Sequence, residues 1–519
     1  MSRKISSTIL LVASVTLLAS CHKVNPNNPS NSDGSESGST PSGPKVTITV
    51  DGGGDISDFN TTASMVKSDS NPFPYNTLET LCKEWEALNP NYTVKINKTS
   101  AHGDRSVLLP QLISKQSCDI IYQNGNVINS DLGKDYYADL TPYLEKPNPY
   151  NDNKPWKEVY NEGELASTQA SDGKYYYVNL EKIPVCLVYN KNILTAAGVS
   201  DPQGIDTFGK LMDAMDKVEE YYKAKGFTDG TYATYSTTYT WYQLAMETNV
   251  FSDLVEPGDV IRKNNIVDTE ELCRLYDKGL YNPNSGIDSA NPSASTFENN
   301  KFYDMIKLMC ELEGHLAPLS YHATQGWVTG KLAFMEATGQ HLRTYDSLID
   351  GFEWGTIPFP DITKDDYSKA GVGVVRGSAG LATSWWISNA AMAANKTDAC
   401  ADLLMYLTSP KQNNRLIGDL KGGIPLNPGS DYQLADYLKP LVEQYDKDIA
   451  EVSKGNRVLW TALSARSVLG NNYSDLFIRT MHDVDNGVNT PEEATIILAR
   501  AIKNTITSLI MEFDYHWDD

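Results

Sequence analysis

Few short runs have the residue types for chemistry. Gly371-Val372-Gly373-Val374-Val375-Arg376-Gly377 comes near a phosphate-cradling GxGxxG. It holds one residue too many and no helical pattern opens behind it, so it reads as a strand and turn. Asp483-Val484-Asp485-Asn486-Gly487 hints at a calcium loop, but its Gly arrives one position early and the twelfth position is Ala494 rather than Glu. A turn ahead of a capped helix fits it better. There is no P-loop, GxSxG, HExxH or CxxC, and the seven His are dispersed. With 66 acidic residues, any carboxylate pair singled out for acid–base work would be arbitrary. The sequence therefore assigns no catalytic residue, no metal ligand and no cofactor. What stands out instead are polar residues at two strand ends, Asp51 to Asp55 and Gln123-Asn124-Gly125-Asn126.

The elements that place those ends read as alternating strands and helices. Val46, Ile48 and Val50 alternate with Thr47 and Thr49 and run into Gly52-Gly53-Gly54. Leu78, Leu81, Cys82, Trp85 and Leu88 fall at helical spacing and stop at Asn89-Pro90. A second strand follows at Tyr92, Val94 and Ile96, a helix from Ser106 to Ser114 interrupted by Pro110, and a third strand at Asp119 to Tyr122. This order predicts an α/β fold with a mostly parallel wound sheet, whose ligands sit beyond the C-terminal strand ends. Further helices are expected at Thr207 to Lys225 and from Thr397, where Cys400, Leu403, Leu404 and Leu407 face inward and Ser409-Pro410 is the stop. The last opens on Thr490-Pro491-Glu492-Glu493, a capping box with Pro at the first helical position, and carries the stripe Ala494, Ile497, Leu498, Ala501, Ile502 and Leu509. No internal repeat is visible.

Composition narrows the class. The 519 residues carry a net charge of −22 and would repel nucleic acid rather than attract it. Mean hydropathy is −0.39 and the long apolar run is at the extreme N-terminus, which excludes a polytopic membrane protein. That terminus has a basic start at Arg3 and Lys4, a short apolar core from Ile9 to Leu18, and then Leu18-Ala19-Ser20-Cys21. The last four residues resemble the bacterial lipobox, which implies a leader over residues 1–20 and a lipid on Cys21 that holds the protein at a membrane. Losing Arg3 and Lys4 with the leader takes the charge from −22 to −24. Residues 21–44 are rich in Asn, Ser, Gly and Pro and read as a flexible tether. Cys82, Cys118, Cys186, Cys273, Cys310 and Cys400 sit mostly in apolar contexts and read as buried free thiols, with disulfides the lesser alternative.

A set of segments carries a resemblance. They are Trp85-Glu86-Ala87-Leu88-Asn89-Pro90-Asn91-Tyr92-Thr93-Val94, Leu108-Leu109-Pro110-Gln111-Leu112 with Cys118-Asp119-Ile120-Ile121, and Ala138-Asp139-Leu140-Thr141-Pro142-Tyr143-Leu144. Asp172-Gly173-Lys174-Tyr175-Tyr176-Tyr177-Val178 follows, running on through Leu187-Val188-Tyr189-Asn190-Lys191 to Ala196-Ala197-Gly198-Val199. Gly330-Lys331-Leu332-Ala333-Phe334-Met335, Leu407-Thr408-Ser409-Pro410, Gly422-Gly423-Ile424-Pro425 and Asn486 to Ala494 complete the set. In this order the chain resembles the extracellular solute-binding proteins of bacterial ABC importers, in the carbohydrate family that includes maltose-binding protein.

The resemblance implies an α/β, two-lobed periplasmic-binding-protein-like fold with a hinge and an interlobe ligand cleft. The N-lobe would take residues 45–180 with 365–415 and the C-lobe residues 181–364 with 416–519. The chain would cross near Val178 to Lys182, Pro358 to Tyr367 and Leu416 to Ile424. The implied function is capture of a carbohydrate, as a lipid-anchored monomer without enzyme activity, for delivery to an ABC permease. Planar amides and carboxylates bind sugar hydroxyls and aromatic faces bind C–H patches, so the family's contact positions single out Asp55, Gln123, Asn124 and Asn126 on the first lobe. Turn capping is the alternative for these amides. On the second lobe Tyr239 and Trp241 fall in a strand-to-helix ligand segment, with core burial the alternative for Trp241. Gln340 and His341 stand where the family often has a stacking Trp, a departure that argues against a maltose-like ligand. Trp385 and Trp386 are consecutive on a strand, so at most one faces the cleft. Tyr473 stands roughly where maltose-binding protein has a C-terminal stacking Trp. Arg105 and Arg376 would matter for an acidic ligand and otherwise read as surface charges. A surface glycan-capture lipoprotein, a glycan hydrolase, or the same fold taking a non-sugar polar solute stay open as alternatives.

Overall fold

The computed structural model describes residues 45–52, 76–97, 105–123, 125–166, 168–170, 172–236, 241–251, 254, 269–318, 320–370, 378–420, 422–427, 432–453 and 471–517. The leader, Cys21, the tether, Asp55, Asn124, Tyr239, Arg376 and the Gly371–Gly377 run lie outside the described residues.

Strand β1 (Val46–Asp51) buries Ile48 and Val50 completely on its alternating face and pairs in parallel with β2 (Tyr92–Asn97) and β3 (Ile120–Tyr122). Asp119, just ahead of β3, locks the β1 side. Its carboxylate accepts from the Thr49 N–H at 2.7 Å and the Thr49 hydroxyl at 2.8 Å, and from the Lys396 ammonium at 3.0 Å. The sheet then turns antiparallel. β3 pairs with β8 (Ser378–Ile387), and β8 with β4 (Tyr177–Asn190). The mostly parallel sheet read from the sequence is thus a mixed one, because β8 runs antiparallel to both β3 and β4.

β4 is the spine of the molecule, with 14 residues all buried. Its first half pairs with β8 and, at Glu181 and Lys182, with β9 (Ile424–Pro425). After a register shift between Lys182 and Pro184, its second half pairs antiparallel with β6 (Leu332–Thr338) and β7 (Trp354–Ile357). β5 (Ala233–Ser236) lies parallel to β6. One long strand therefore belongs to two half sheets, giving the two lobes a shared backbone. Asn413 fastens the crossing: its amide donates to Leu180 O at 2.7 Å and accepts from the Leu426 N–H at 2.9 Å.

Each half sheet has its own core. Ile48, Trp85, Ile120, Leu180, Trp385, Leu403 and Leu407 belong to the first, where the Trp85 and Trp156 indole N–H groups reach Asp402 and Thr408, both at 2.8 Å. Leu187, Phe208, Met246, Phe302, Phe334, Leu498 and Ile502 belong to the second. Ile362, Tyr367 and Ala370 pack in that second core.

The helices follow their caps. Phe208–Lys225 starts on Thr207 and ends on Gly226 in the left-handed region at φ 73°. Pro491–Phe513 opens with the reciprocal Thr490–Glu493 capping box. That helix is long and apolar enough to cross a membrane by length and composition, the one such helix among the described residues. Ala494, Leu498, Ile502 and Ile506 nevertheless pack in the second core, while Ile497 lies 36% exposed, off the expected inward stripe.

Candidate functional site

The C-terminal end of β3 delivers Gln123 into a buried polar network. Gln123 is 1% exposed, and its amide oxygen accepts from Arg105 Nη1 at 3.1 Å while its amide nitrogen donates to the Tyr137 hydroxyl at 2.6 Å. Tyr137 in turn donates to Asp131 Oδ2 at 2.7 Å and accepts from Arg105 Nη1 at 3.1 Å. Arg105 Nη2 closes the ring on Asp131 Oδ1. Arg105 opens the helix Arg105–Ser114, and Asp131 ends the short turn of helix Ile128–Asp131 that follows β3. Burial raises the Tyr137 phenol, and the Asp131 carboxylate it donates to raises it further, so it stays a protonated donor.

Below this network lies an aromatic floor. The Trp386 ring centroid sits 4.4 Å from both Tyr137 and Tyr177, and its indole N–H donates to Gln123 O at 2.9 Å. Gly125, two residues beyond Gln123, admits the Tyr177 ring: a Cβ there would lie 2.4 Å from the Tyr177 hydroxyl. The two tryptophans separate as a strand requires. Trp386 supports the polar network, and Trp385, fully buried, points into the first core among Ile48, Val50 and Leu404.

On the second lobe, β6 ends at Thr338 and the helix Gly339–Leu348 begins. His341 caps that helix: its Nδ1 accepts the Thr338 backbone N–H at 3.0 Å, and its ring stacks on Tyr345 with centroids 6.0 Å apart. Burial holds its pKa below the ordinary value, and Arg343 adds to the effect. Gln340 is the second residue of this helix, Trp241 begins the helix Trp241–Val250, and Asn126 lies in the 3-10 turn Gly125–Val127. Tyr473 is 4% exposed and packs beside Phe477 in the second core, where two helices, Asn471–Asp485 and Pro491–Phe513, bury it.

The junction between half sheets is built as tightly as the site. Lys182 on β4, 5% exposed, pairs with Glu164 at 3.1 Å, and the Tyr445 hydroxyl donates to the same Glu164 oxygen at 2.6 Å. Among the described residues one group could offer three metal ligands, Asp216, Glu219 and His315. Both carboxylates are exposed and His315 Nδ1 lies 2.7 Å from Glu219, an arrangement that a surface hydrogen bond explains. The six described cysteines are all free.

Gln123 was legible in the sequence from its strand-end position. Asp131, Tyr137 and Tyr177 were not singled out, because their roles come from a meeting of segments far apart in the chain. Arg105, read as a surface charge, turns inward onto them.

A long strand shared by two half sheets, with a polar strand end beside the junction, defines a two-lobed binding protein of the periplasmic type. A family profile described as Bacterial extracellular solute-binding protein matches residues 80–440, more than half of the chain. The chain belongs to that family. Its fold is similar to that of a family 1 extracellular solute-binding protein from Bifidobacterium longum subsp. infantis, at 15% identity and a TM-score of 0.55, covering 89% of this chain and 100% of that one. It is similar as well to an ABC substrate-binding protein from Listeria monocytogenes in complex with cycloalternan, at 14% identity and TM-score 0.55, covering 91% and 100%. A third similar structure is the sugar-binding protein MalE from the phytopathogen Xanthomonas citri, at 15% identity and TM-score 0.52, covering 85% and 96%. No curated protein matches the sequence.

Proposed function

We propose that this solute-binding protein captures a carbohydrate, an oligosaccharide in particular, and hands it to an ABC permease without chemical change. The observation that carries the reading is the preorganised network around Gln123 at the C-terminal end of β3, a strand-end position suited to hydroxyl recognition, in a chain of the solute-binding family. The sugars and sugar-binding roles named for structures of the same fold support it. The division into residues 45–180 with 365–415 and 181–364 with 416–519 follows the same reading, as does ligand contact by Asp55, Asn124, Asn126, Tyr239, Trp241, Gln340 and His341, with the fully buried Trp386 acting as support beneath the network rather than as a contact. Lipid on Cys21 and the tether over residues 21–44 would keep the protein, as a monomer, within reach of its permease.

A thermal-shift screen against mono- and oligosaccharides, uronates, amino acids and peptides tests it. Only the native state binds ligand, so one glycan series should raise Tm in a dose-dependent way and come back unaltered by mass spectrometry. A shift with a peptide or amino acid and with no sugar would overturn the substrate class, and cleavage of the glycan would overturn the non-enzymatic reading.

A further inference from the structure

We infer that Arg105 contacts the ligand, and that it meets neutral hydroxyl groups there rather than an anion. The inference deepens the carbohydrate reading above and rests on it.

Arg105 is held like a built part rather than a surface charge. Three partners fix its guanidinium, and they are themselves buried: Gln123 is 1% exposed, Asp131 3% and Tyr137 5%. The Trp386 and Tyr177 rings close the floor beneath them. Yet the Arg105 side chain keeps 30% of its surface exposed. A guanidinium carries five N–H donors in a rigid fork. Gln123, Tyr137 and Asp131 take three, leaving two donors on a side chain that stays part-exposed beside the end of β3. A fixed donor pair at the place where a wound sheet meets its ligand costs little ordering on binding.

The charge balance selects what docks there. Asp131, its side chain fully buried, already lies against the guanidinium, and Lys134 adds only a half-exposed ammonium 3.3 Å from the same carboxylate, on the solvent side where water screens it. An anionic ligand would have to compete with that seated carboxylate. Hydroxyl oxygens need no counter-charge: they accept charge-assisted bonds from an Arg–Asp pair that stays neutral as a unit. Asp131 also keeps the guanidinium from drifting toward solvent, and Tyr137 and Gln123 fix its plane.

The test is calorimetric titration of the protein with raffinose, maltotriose and trigalacturonate, on the wild type, on Arg105→Lys and on Asp131→Asn. Lysine keeps the charge and loses the fork. The expected result is a neutral glycan binding more tightly than trigalacturonate, weakened about tenfold in Arg105→Lys, which is the scale of one lost charged hydrogen bond. Asp131→Asn should shift the preference toward trigalacturonate. A second measurement avoids any folding defect: on the wild type, the bound neutral glycan should protect Arg105 from p-hydroxyphenylglyoxal, read by peptide mass spectrometry. Tighter binding of trigalacturonate, or a neutral glycan that binds without loss in Arg105→Lys and without protecting Arg105, would overturn the inference and leave the carbohydrate reading standing. Binding of no glycan of either class would instead fall on that reading and take the inference with it.

Discussion

Gly339 and Gly422 touch backbone to backbone. A Cβ on Gly339 would lie 2.0 Å from the carbonyl oxygen of Gly422, and one on Gly422 would lie 2.1 Å from that of Gly339. Gly339 opens the helix after β6 and Gly422 stands ahead of β9, so the contact joins segments on either side of the β4 register shift, against Pro184. Both residues are needed for space, since the atom in the way is backbone and cannot swing aside.

Gly339→Ala and Gly422→Ala should therefore each destabilise the fold by about 1–3 kcal/mol, the usual scale of overpacking. Their effects should not add, because either methyl group opens the same contact. Urea denaturation of the two single variants and the double variant reads both points. Full additivity would mean that the two backbones yield independently.

The buried Lys182–Glu164 pair sets a second expectation. Removing one charge leaves the other stranded in a site closed by Tyr445, so Lys182→Met should cost about 3–5 kcal/mol. Lys182→Met combined with Glu164→Gln should recover part of that loss, because no unpaired charge remains. A double variant no more stable than Lys182→Met would show that the pair matters by its shape and not its charge.

Trp386 separates support from contact. It is fully buried between Tyr137 and Tyr177, so Trp386→Ala should lower stability by about 3–5 kcal/mol, as large cavities do, whatever it does to ligand affinity. Trp385→Ala should cost a similar amount without disturbing the Gln123 network, since its ring points to the opposite face. Chemical denaturation of both variants, set beside ligand titration, distinguishes the two faces of β8.

Patterns along the chain made the local elements legible. The alternation at Val46–Val50, the Thr207 and Thr490 caps and the Asn89-Pro90 stop all act within a few residues, and the structure has a strand, two capped helices and a helix end there. The antiparallel β8–β4 pairing was hidden because it joins segments about 200 residues apart, and strand direction leaves no mark in periodicity. The site divides the same way. Gln123 showed itself by standing after a strand, whereas its partners Arg105, Asp131 and Tyr137 come from three segments that only the folded sheet brings together. Tyr473 looked like a stacking residue by its place near the C-terminus; the apolar faces of two helices bury it instead.

The cysteines offer a chemical check on burial. Desolvation pushes the Cys82 thiol up to about 12, with Glu86 adding to it, and the Cys310 thiol up to about 12, with Glu313 next; Cys118, Cys186 and Cys400 are raised as well. Native protein at pH 8 should thus react slowly with iodoacetamide at these positions. In denaturant without reductant all six cysteines from Cys82 to Cys400 should be alkylated, counted by intact mass. Pairs that stay unmodified until reductant is added would mean disulfides.

His341 makes the junction sensitive to acid. Its Nδ1 accepts the Thr338 N–H, a bond that requires an unprotonated nitrogen, and burial followed by Arg343 holds its pKa below the ordinary 6.5. The folded state therefore binds fewer protons than the unfolded chain in the window between the depressed value and 6.5. Stability from this cap is complete above pH 6.5 and is lost as the pH falls through that window toward the folded pKa, below which both states are protonated. His341→Gln keeps an acceptor at the third helical position and cannot titrate. Its stability should vary less than the wild type's between pH 7.5 and pH 5, with the difference confined to the acid side of 6.5. Parallel urea curves across that range measure it, and a wild type and variant that fall together would assign the acid sensitivity to other groups.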